Sequence, residues 1–220
     1  VYEHRFIVVD DHSTDSTAAV LIKLTDRAFP LAVVSNEINL GHGGSVLRGL
    51  AAAIALHPTR LVLCDGDGQF NGEEVARLVK LSLESDVDIV EGIRRGRNDP
   101  WFRRVLSLGT QVLVLYSSRT RSADANTPLR VLKTGAASDM LHQIPSDCPV
   151  PNLAMSAIAR SQRLSILQIP VQSRPARRNT GTQDHWRQRF SMLPSRRLIT
   201  FAWKALVSWQ KVHRHVRSIR

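Results

Sequence analysis

Short, uninterrupted apolar runs alternate along this chain with longer segments whose apolar residues recur at helical spacing. Apolar runs without polar alternation are typical of strands that are covered on both faces. They lie at residues 6–9, 31–34, 61–64 and 88–90. The segments with helical spacing lie at residues 16–27, 45–56 and 73–84. Strands that alternate with helices predict an α/β fold with a mostly parallel sheet and flanking helices.

The second half of the chain continues the pattern less regularly. Helices are predicted over residues 101–116 and from Pro151 to about residue 163, the second directly after a Pro-Val-Pro break. Further strands are predicted at residues 129–132 and 164–171. At 220 residues, of which 43% are hydrophobic, the chain can bury one substantial core. We therefore expect a single domain.

The C-terminal segment differs from this domain in its charge. The formal net charge is +11, yet no acidic residue follows Asp184. Residues 196–220 also carry apolar side chains at helical spacing, which is typical of a basic amphipathic helix on an anionic membrane surface. Packing of this helix onto the domain is the alternative. The predicted division is a domain over residues 1–183 and a basic tail over residues 184–220.

Several protein classes are disfavoured by the sequence. No uncharged apolar stretch approaches the ~20 residues that a bilayer-spanning helix needs. Cys64 and Cys148 lack the number and spacing of a disulfide framework or a zinc site, which favours a reducing compartment. No nucleic acid is expected as a partner, because the basic charge comes without a helix-turn-helix, base-stacking or zinc-finger pattern. These features predict a cytoplasmic protein that is peripheral at the inner face of the membrane.

Acidic residues follow two predicted strands where each strand ends. Asp10 and Asp11 close the first strand, and Asp65 and Asp67 close the third. Ligands of an open α/β sheet lie outside the carboxyl ends of its strands, so the two clusters are expected at one edge. Carboxylate oxygens there suit a Mg²⁺ or Mn²⁺ ion that bridges a diphosphate and acts as a Lewis acid. Taken alone the pattern is weak, since acids in loops more often cap helices or stabilise turns.

Several motifs occur around these acids in a fixed order. They are residues 8–17 (VVDDHSTDST), 39–44 (NLGHGG), 65–69 (DGDGQ), 92–94 (GIR), 99–104 (DPWFRR) and 124–130 (DANTPLR), followed by Pro170, Val171, Arg174, Arg178 and Gly181. Together they resemble the inverting glycosyltransferases of family two, in the branch that includes dolichol-phosphate mannose synthase. The resemblance implies a GT-A fold, which is Rossmann-like, a nucleotide-sugar donor linked to GDP or UDP, and Mg²⁺ or Mn²⁺ as cofactor.

The resemblance also assigns roles to individual residues. The residues implied in donor binding are Asp10, Asp11, Asp65, Asp67, Arg174 and Arg178. Those implied in metal binding are Asp65, Asp67 and Gln69. The acceptor side would be formed by Arg94, Asp124 and Arg130, with Arg130 facing a phosphate. Catalysis would then rest on Asp65, Asp67 and Arg130.

Structural alternatives stay open for some of these residues. Asp11 can be a turn carboxylate that accepts from the amides of Ser13 or Thr14. Arg130 lies among Leu and Val, where a charge is costly unless it meets an anion, and Asp124 or Asp139 can supply that anion instead of a phosphate. The glycines of residues 41–44 favour a tight turn over a phosphate-binding loop, and His42 within them is expected to be a surface or capping residue.

The chain departs from the family pattern in two places. The family begins with a strand that ends in Pro-x-Tyr-Asn-Glu and contributes to the nucleotide pocket, whereas this chain opens at Val1 just before its first predicted strand. We therefore expect an N-terminal piece to be absent. His12 stands where the family usually has Gly.

The predicted helix from Pro151 lacks the acidic pair that many relatives use as a catalytic base. A lipid phosphate is already anionic near neutral pH and needs no proton removed, so positioning and electrostatic stabilisation can supply most of the rate. The predicted function is inverting sugar transfer to a polyprenyl phosphate. One alternative is a related transferase that acts on a hydroxyl or saccharide acceptor; another is a non-catalytic basic binding protein.

Overall fold

The computed structural model describes residues 3–25, 30–95, 108–112, 114–115 and 122–174. The strands are β1 (Phe6–Asp10), β2 (Leu31–Ser35), β3 (Arg60–Leu63), β4 (Ile89–Arg95), β5 (Arg130–Lys133) and β6 (Ile166–Gln172). The helices are α1 (Thr17–Thr25), α2 (Gly41–Ile54), α3 (Gly72–Ser85), α4 (Thr134–Gln143) and α5 (Pro151–Ser161). The predicted α/β fold is confirmed. The tail over residues 184–220 and Arg178 lie outside the described residues, as does most of the helix predicted over residues 101–116.

The described strands form two groups. β1 and β2 pair in parallel, with Phe6 opposite Leu31. The other four strands follow the order β3, β5, β4, β6. β5 runs antiparallel to both of its neighbours, whereas β4 and β6 are parallel. β3, β4 and β6 therefore share one direction, and the mostly parallel sheet that the sequence predicts is interrupted by β5.

Two cores cover the opposite faces of the four-stranded sheet. Ile89 of β4 and Leu132 of β5 are fully buried in a cluster that also contains residues of α2, α4 and α5. The next residue of β4, Val90, and Val131 of β5 pack in a second cluster with Leu78 of α3. Successive side chains of a strand point to opposite faces. Burial on both faces explains why these strands lack polar alternation.

The glycine-rich segment before residue 45 forms the first turn of α2, so the tight turn expected there is wrong. Gly43 shows what the glycines provide. A Cβ added at Gly43 would lie 2.1 Å from the carbonyl oxygen of Cys148, a distance that no side chain tolerates. The start of α2 thus packs directly on the backbone of the loop that leads into α5.

α4 has no counterpart among the predicted elements. Its sequence, TGAASDMLHQ, contains Gly and several polar residues, and its buried side chains are those of Ala137 and Met140. Two buried side chains among ten residues give little hydrophobic periodicity, so the sequence pattern does not predict this helix. Tertiary packing stabilises it. Among the described residues, no helix has the length and apolar character needed to cross a bilayer.

Candidate active site

Asp10 is the last residue of β1 and Asp11 follows it, but the two carboxylates have different partners. Asp10 is buried, and its carboxylate accepts from the amide of Ser13 at 3.2 Å. Asp11 Oδ1 accepts from the amide of Leu40 at 2.7 Å and from Asn36 Nδ2 at 2.8 Å. The turn contact considered for Asp11 therefore belongs to Asp10. Asp11 instead joins the end of β1 to the segment that precedes α2.

The hydrogen bonds of Asp11 also favour its ionised form. Burial acts to raise the pKa of this carboxyl, but the donors Asn36 and the Leu40 amide outweigh burial and lower the pKa. Asp11 therefore presents a negative charge at neutral pH at the carboxyl end of β1.

Asp65 and Asp67 follow β3 directly, as predicted. Asp67 accepts from the backbone amide of Gln69 at 3.1 Å and from the Gln69 side-chain amide. The carboxylate of Asp67 is therefore held in place by a residue of the same loop. Burial raises the pKa of Asp65; the charge of His42 lowers it, that of Asp67 raises it and that of Arg94 lowers it. All of these side chains therefore lie within electrostatic range of Asp65.

This arrangement brings the start of α2 and the ends of β3 and β4 to one edge of the sheet. His42, expected to be a surface or capping residue, is exposed, yet its charge acts on Asp65. Its position directly after Gly41 was the sequence signal for this placement, because residues 39–44 are one of the ordered motifs.

The carboxylate oxygens of Asp65 and Asp67 fit a divalent cation whose remaining ligands come from a substrate. No group of three or more His, Cys, Asp or Glu side chains that could hold a metal ion occurs within the described residues. Mg²⁺ in particular is usually bound by one or two carboxylates together with phosphate oxygens and water. The two neighbouring carboxylates of Asp65 and Asp67 meet that requirement. Gln69 donates to Asp67 here, and its role as a third ligand stays a prediction.

Arg94 and Asp124, both predicted on the acceptor side, form a two-pronged ion pair. Arg94 Nε lies 2.7 Å from Asp124 Oδ2, and Arg94 Nη2 lies 3.0 Å from Oδ1. Arg94 Nη2 also donates to the carbonyl of Asn126 at 3.1 Å. The planar guanidinium fork matches the carboxylate geometry, so each side chain fixes the other. β4 and the loop before β5 meet through this pair.

Arg130 is enclosed in the protein interior. It is 0% exposed, and its ion-pair partner is Glu91 at 3.1 Å. Its guanidinium also donates to the carbonyls of Thr127 and Asn152 and to the hydroxyl of Ser156. Neither Asp124 nor Asp139, the acids considered from the sequence, is this partner, and in this structure the guanidinium does not face an open acceptor site. Direct contact with an acceptor phosphate stays a prediction that this geometry does not favour.

Glu91 was missed by reasoning from the sequence. The signal was present, since Glu91 interrupts the apolar strand β4 just as Arg130 interrupts β5, and buried charges are expected in pairs. Arg174, by contrast, lies near its predicted place. Its backbone amide donates to the carbonyl of Gln69 at 2.8 Å, so the chain leaving β6 passes beside the loop of Asp67.

Comparison with known proteins identifies the family. Residues 2–140 match Glycosyl transferase family 2. The chain belongs to this family. One similar protein is the undecaprenyl-phosphate 4-deoxy-4-formamido-L-arabinose transferase of Sodalis glossinidius (strain morsitans), 30% identical over 172 residues that cover 76% of this chain and 49% of that protein. The protein of the same name from Edwardsiella ictaluri (strain 93-146) is 28% identical over 171 residues, or 77% of this chain and 50% of the relative. The chain thus spans about half the length of these curated relatives.

Solved structures establish the fold of this family member. Glucosyl-3-phosphoglycerate synthase from Mycobacterium tuberculosis, in complex with Mn²⁺, uridine-diphosphate-glucose and phosphoglyceric acid, superimposes with a TM-score of 0.63 at 19% sequence identity. The match covers 94% of this chain and 68% of that chain. The GT-A fold implied by the sequence motifs is therefore confirmed.

Proposed function

We propose that this glycosyltransferase moves a sugar from a nucleotide-diphosphate donor to a polyprenyl phosphate, with inversion at the anomeric carbon. The observation that carries the proposal is the edge of the sheet at which the carboxylate of Asp65 lies within electrostatic range of both Asp67 and Arg94, and Asp124 binds Arg94 there. This proximity supports a site in which the acids face a metal-bound diphosphate and the cation faces an acceptor phosphate.

On the donor side, Asp65 and Asp67 would hold Mg²⁺ or Mn²⁺. The metal would supply Lewis-acid stabilisation of the leaving diphosphate. Asp11, ionised and fixed by Asn36 and Leu40, suits a contact with the nucleoside. Similarity to a synthase solved with uridine-diphosphate-glucose and Mn²⁺ supports this type of donor and metal, although GDP-linked sugars stay candidates.

On the acceptor side, the carboxylate of Asp124 is occupied by Arg94 and is poorly suited to act as a general base. The first turn of α5 carries no acid either. A phosphate monoester needs no base: one of its oxygens attacks the anomeric carbon, a bond forms between them, and the bond from that carbon to the diphosphate oxygen breaks with its electron pair on the diphosphate. The names of the relatives from Sodalis and Edwardsiella, both undecaprenyl-phosphate transferases, support this acceptor.

An exposed apolar stripe beside the acceptor side fits a lipid substrate. Leu108, Val112 and Leu115 are 60%, 61% and 38% exposed and recur at helical spacing. The same segment is tied to the domain, since Gln111 donates to the carbonyl of Ala123 at 3.1 Å and Val114 packs in a buried cluster with Ala125. In the sequence, no acidic residue lies between Asp99 and Asp124, whereas four arginines do. An apolar stripe in a basic segment suits an anionic membrane surface.

The proposal is tested with a matrix of donors and acceptors. The full chain is incubated with UDP- and GDP-linked hexoses and pentoses, with Mg²⁺, Mn²⁺ or EDTA, and with a short polyprenyl phosphate, 3-phosphoglycerate or a free saccharide. We expect metal-dependent formation of a polyprenyl-phosphate sugar. Transfer to the saccharide or to phosphoglycerate but not to the lipid would replace the proposed acceptor, and metal-dependent donor binding without transfer to any acceptor would favour a non-catalytic role.

A further inference from the structure

Glu91 is a buried carboxylate that joins four elements of the fold. It lies in β4 and is 0% exposed. One of its oxygens accepts from Arg130 Nη1 and from Arg160 Nη1, each at 3.1 Å. The other accepts from Arg160 Nη2 at 2.6 Å and from Gln168 Nε2 at 2.9 Å. β5, α5 and β6 are thereby tied to β4 through one acid.

This cluster reaches the acceptor side through Arg130. We define the acceptor loop as residues 122–129, which lead into β5. Arg130 donates to the carbonyls of Ala125 and Thr127 in this loop, at 3.4 and 3.2 Å. Asn126, between them, accepts from Arg94 at 3.1 Å. Arg130 thus fixes the backbone of the acceptor loop that carries Asp124 through hydrogen bonds, and Glu91 fixes Arg130 through an ion pair.

The charges of the two arginine pairs are coupled. Burial lowers the pKa of Arg130 and the charge of Glu91 raises it; Asp124 and Arg94 act on it as well, so they lie within electrostatic range. Among the residues that the structure describes, three arginines share two acids here, because Glu91 pairs with Arg130 and Arg160 while Asp124 pairs with Arg94. In a low-dielectric interior an arginine that loses its acid competes strongly for the next one. For Arg130 that next acid is Asp124.

We propose that Glu91 is a positioning residue for the acceptor: by keeping Arg130 paired inside the domain, it leaves Asp124 to hold Arg94 at the edge where Asp65 lies. This inference rests on the sugar transfer to polyprenyl phosphate proposed above. Glu91 itself contacts neither substrate. Its effect on the acceptor is transmitted through Arg130 and the acceptor loop, which predicts a selective effect on one substrate.

The test variant is Glu91→Gln, which keeps the shape of the side chain and removes its charge. Steady-state kinetics with a short polyprenyl phosphate should show an acceptor KM raised about 10-fold and a donor KM within about twofold of the parent, since small displacements of a positioning group are costly. Asp86→Asn is the matched control, because Asp86 is a carboxylate that pairs with Arg60 and Lys133 but is 78% exposed. This control should leave both KM values unchanged.

Coupling to Asp124 separates positioning from a general loss of stability. If Arg130 draws Asp124 away from Arg94 in Glu91→Gln, then Asp124→Asn in that background should raise the acceptor KM by less than twofold more, whereas it should raise it severalfold in the parent. Additive effects of the two substitutions would overturn the proposal. A donor KM that rises together with the acceptor KM would overturn it too.

Hydrogen exchange keeps the test independent of the proposed reaction. Amides of the acceptor loop should exchange at least about 10-fold faster in Glu91→Gln than in the parent, with β1 and α2 unchanged. If the parent transfers no sugar to a polyprenyl phosphate, the proposed function fails, and unchanged exchange in the loop would still overturn the role of Glu91.

Should Glu91→Gln fail to fold, Ser156→Ala takes its place, because Ser156 accepts from Arg130 and donates to the carbonyl of Ala125. It should shift acceptor KM and loop exchange in the same direction by smaller factors, and no shift would overturn the proposal.

Discussion

The two sides of the candidate site are held in place by different means. On the donor side, Asp11, Asp65 and Asp67 lie at strand ends and are partly exposed, and the partners of Asp11 and Asp67 are backbone and side-chain amides of loops. On the acceptor side, Arg94 and Asp124 are each about a tenth exposed, and Arg130 and Glu91 beneath them are fully buried. Substitutions on the donor side should therefore change ligand binding with little effect on stability. Substitutions on the acceptor side should change both.

The largest effect on stability is expected for Arg130→Ala. Removal of this guanidinium leaves Glu91 with fewer partners and takes away the hydrogen bonds to the carbonyls of Thr127 and Asn152, so the free energy of unfolding should fall by about 3–5 kcal/mol. The unfolding free energy of Arg130→Lys should lie between those of Arg130→Ala and the parent, since Lys keeps the charge but cannot reach the same set of acceptors. Urea unfolding followed by circular dichroism measures both. If Arg130→Ala unfolds like the parent but transfers no sugar, the guanidinium acts on the acceptor directly, as the sequence motif predicts.

Asp67→Asn should show the opposite behaviour. Loss of one anionic oxygen at the proposed metal and diphosphate site should lower turnover by at least about 100-fold, since mutation of residues that merely hydrogen-bond to metal ligands already costs about 10- to 100-fold. Unfolding free energy should stay within about 0.5 kcal/mol of the parent, because Asp67 is partly exposed. Calorimetry of UDP and GDP binding with and without Mn²⁺ checks the metal dependence. The same metal dependence in the variant and the parent would remove Asp67 from the site.

The exposed stripe extends the acceptor side to the surface and can be tested separately. Replacement of Leu108, Val112 and Leu115 by Ser should reduce binding to vesicles with anionic lipids by about 100-fold, since each of the three apolar side chains contributes on the order of 1 kcal/mol when buried among headgroups. Val20, Ile22 and Leu24 of α1, equally apolar and exposed, provide the matched control.

The sequence also predicts membrane binding by residues 196–220, outside the described residues. A chain that ends at Pro194 and floats like the parent would assign binding to the stripe rather than the tail.

Asp65→Asn tests whether the ionised carboxylate of Asp65 destabilises the fold when divalent metals are removed. Burial raises the pKa of Asp65 in the folded state, so its ionised form costs stability at neutral pH. In EDTA the variant should therefore be more stable than the parent at pH 7. The difference should shrink as the pH falls, and it should vanish near pH 3, where the carboxyl is protonated in both folded and unfolded states. A variant that is less stable than the parent at pH 7 would show that Asp65 is a structural acid.

The same contrast explains what the sequence could predict. The donor-side residues can be predicted because they follow apolar strands, and strand order alone leads us to expect Asp11, Asp65 and Asp67 at one edge of the sheet; their roles stay predictions. The partner of Arg130 was not identified, because Glu91 lies 39 positions away and the antiparallel pairing of β4 with β5 is needed to bring them together. Reversal of β5 is not visible in its four residues. α4 was missed because its helical signal is small and its stability comes from packing.

His12 should give the smallest effect, and it tests how tolerant the donor side is. Its φ of 58° lies in the left-handed region, where the family usually has Gly and a side chain with a Cβ costs about 1–2 kcal/mol. His12→Gly relieves that cost but adds about 0.5–1 kcal/mol of chain entropy in the unfolded state, so the net gain in stability should be below about 1 kcal/mol. His57→Gly is the matched control, because His57 has a φ of 49° after the end of α2, and the stability of this variant should change equally.

Affinity for UDP or GDP with Mn²⁺ should change by less than about threefold in both variants, since the backbone beside Asp11 already has the conformation that Gly would adopt. If His12→Gly alone weakens binding by more than about 10-fold, the imidazole contacts the donor, and the departure from the family pattern is a functional feature of this chain.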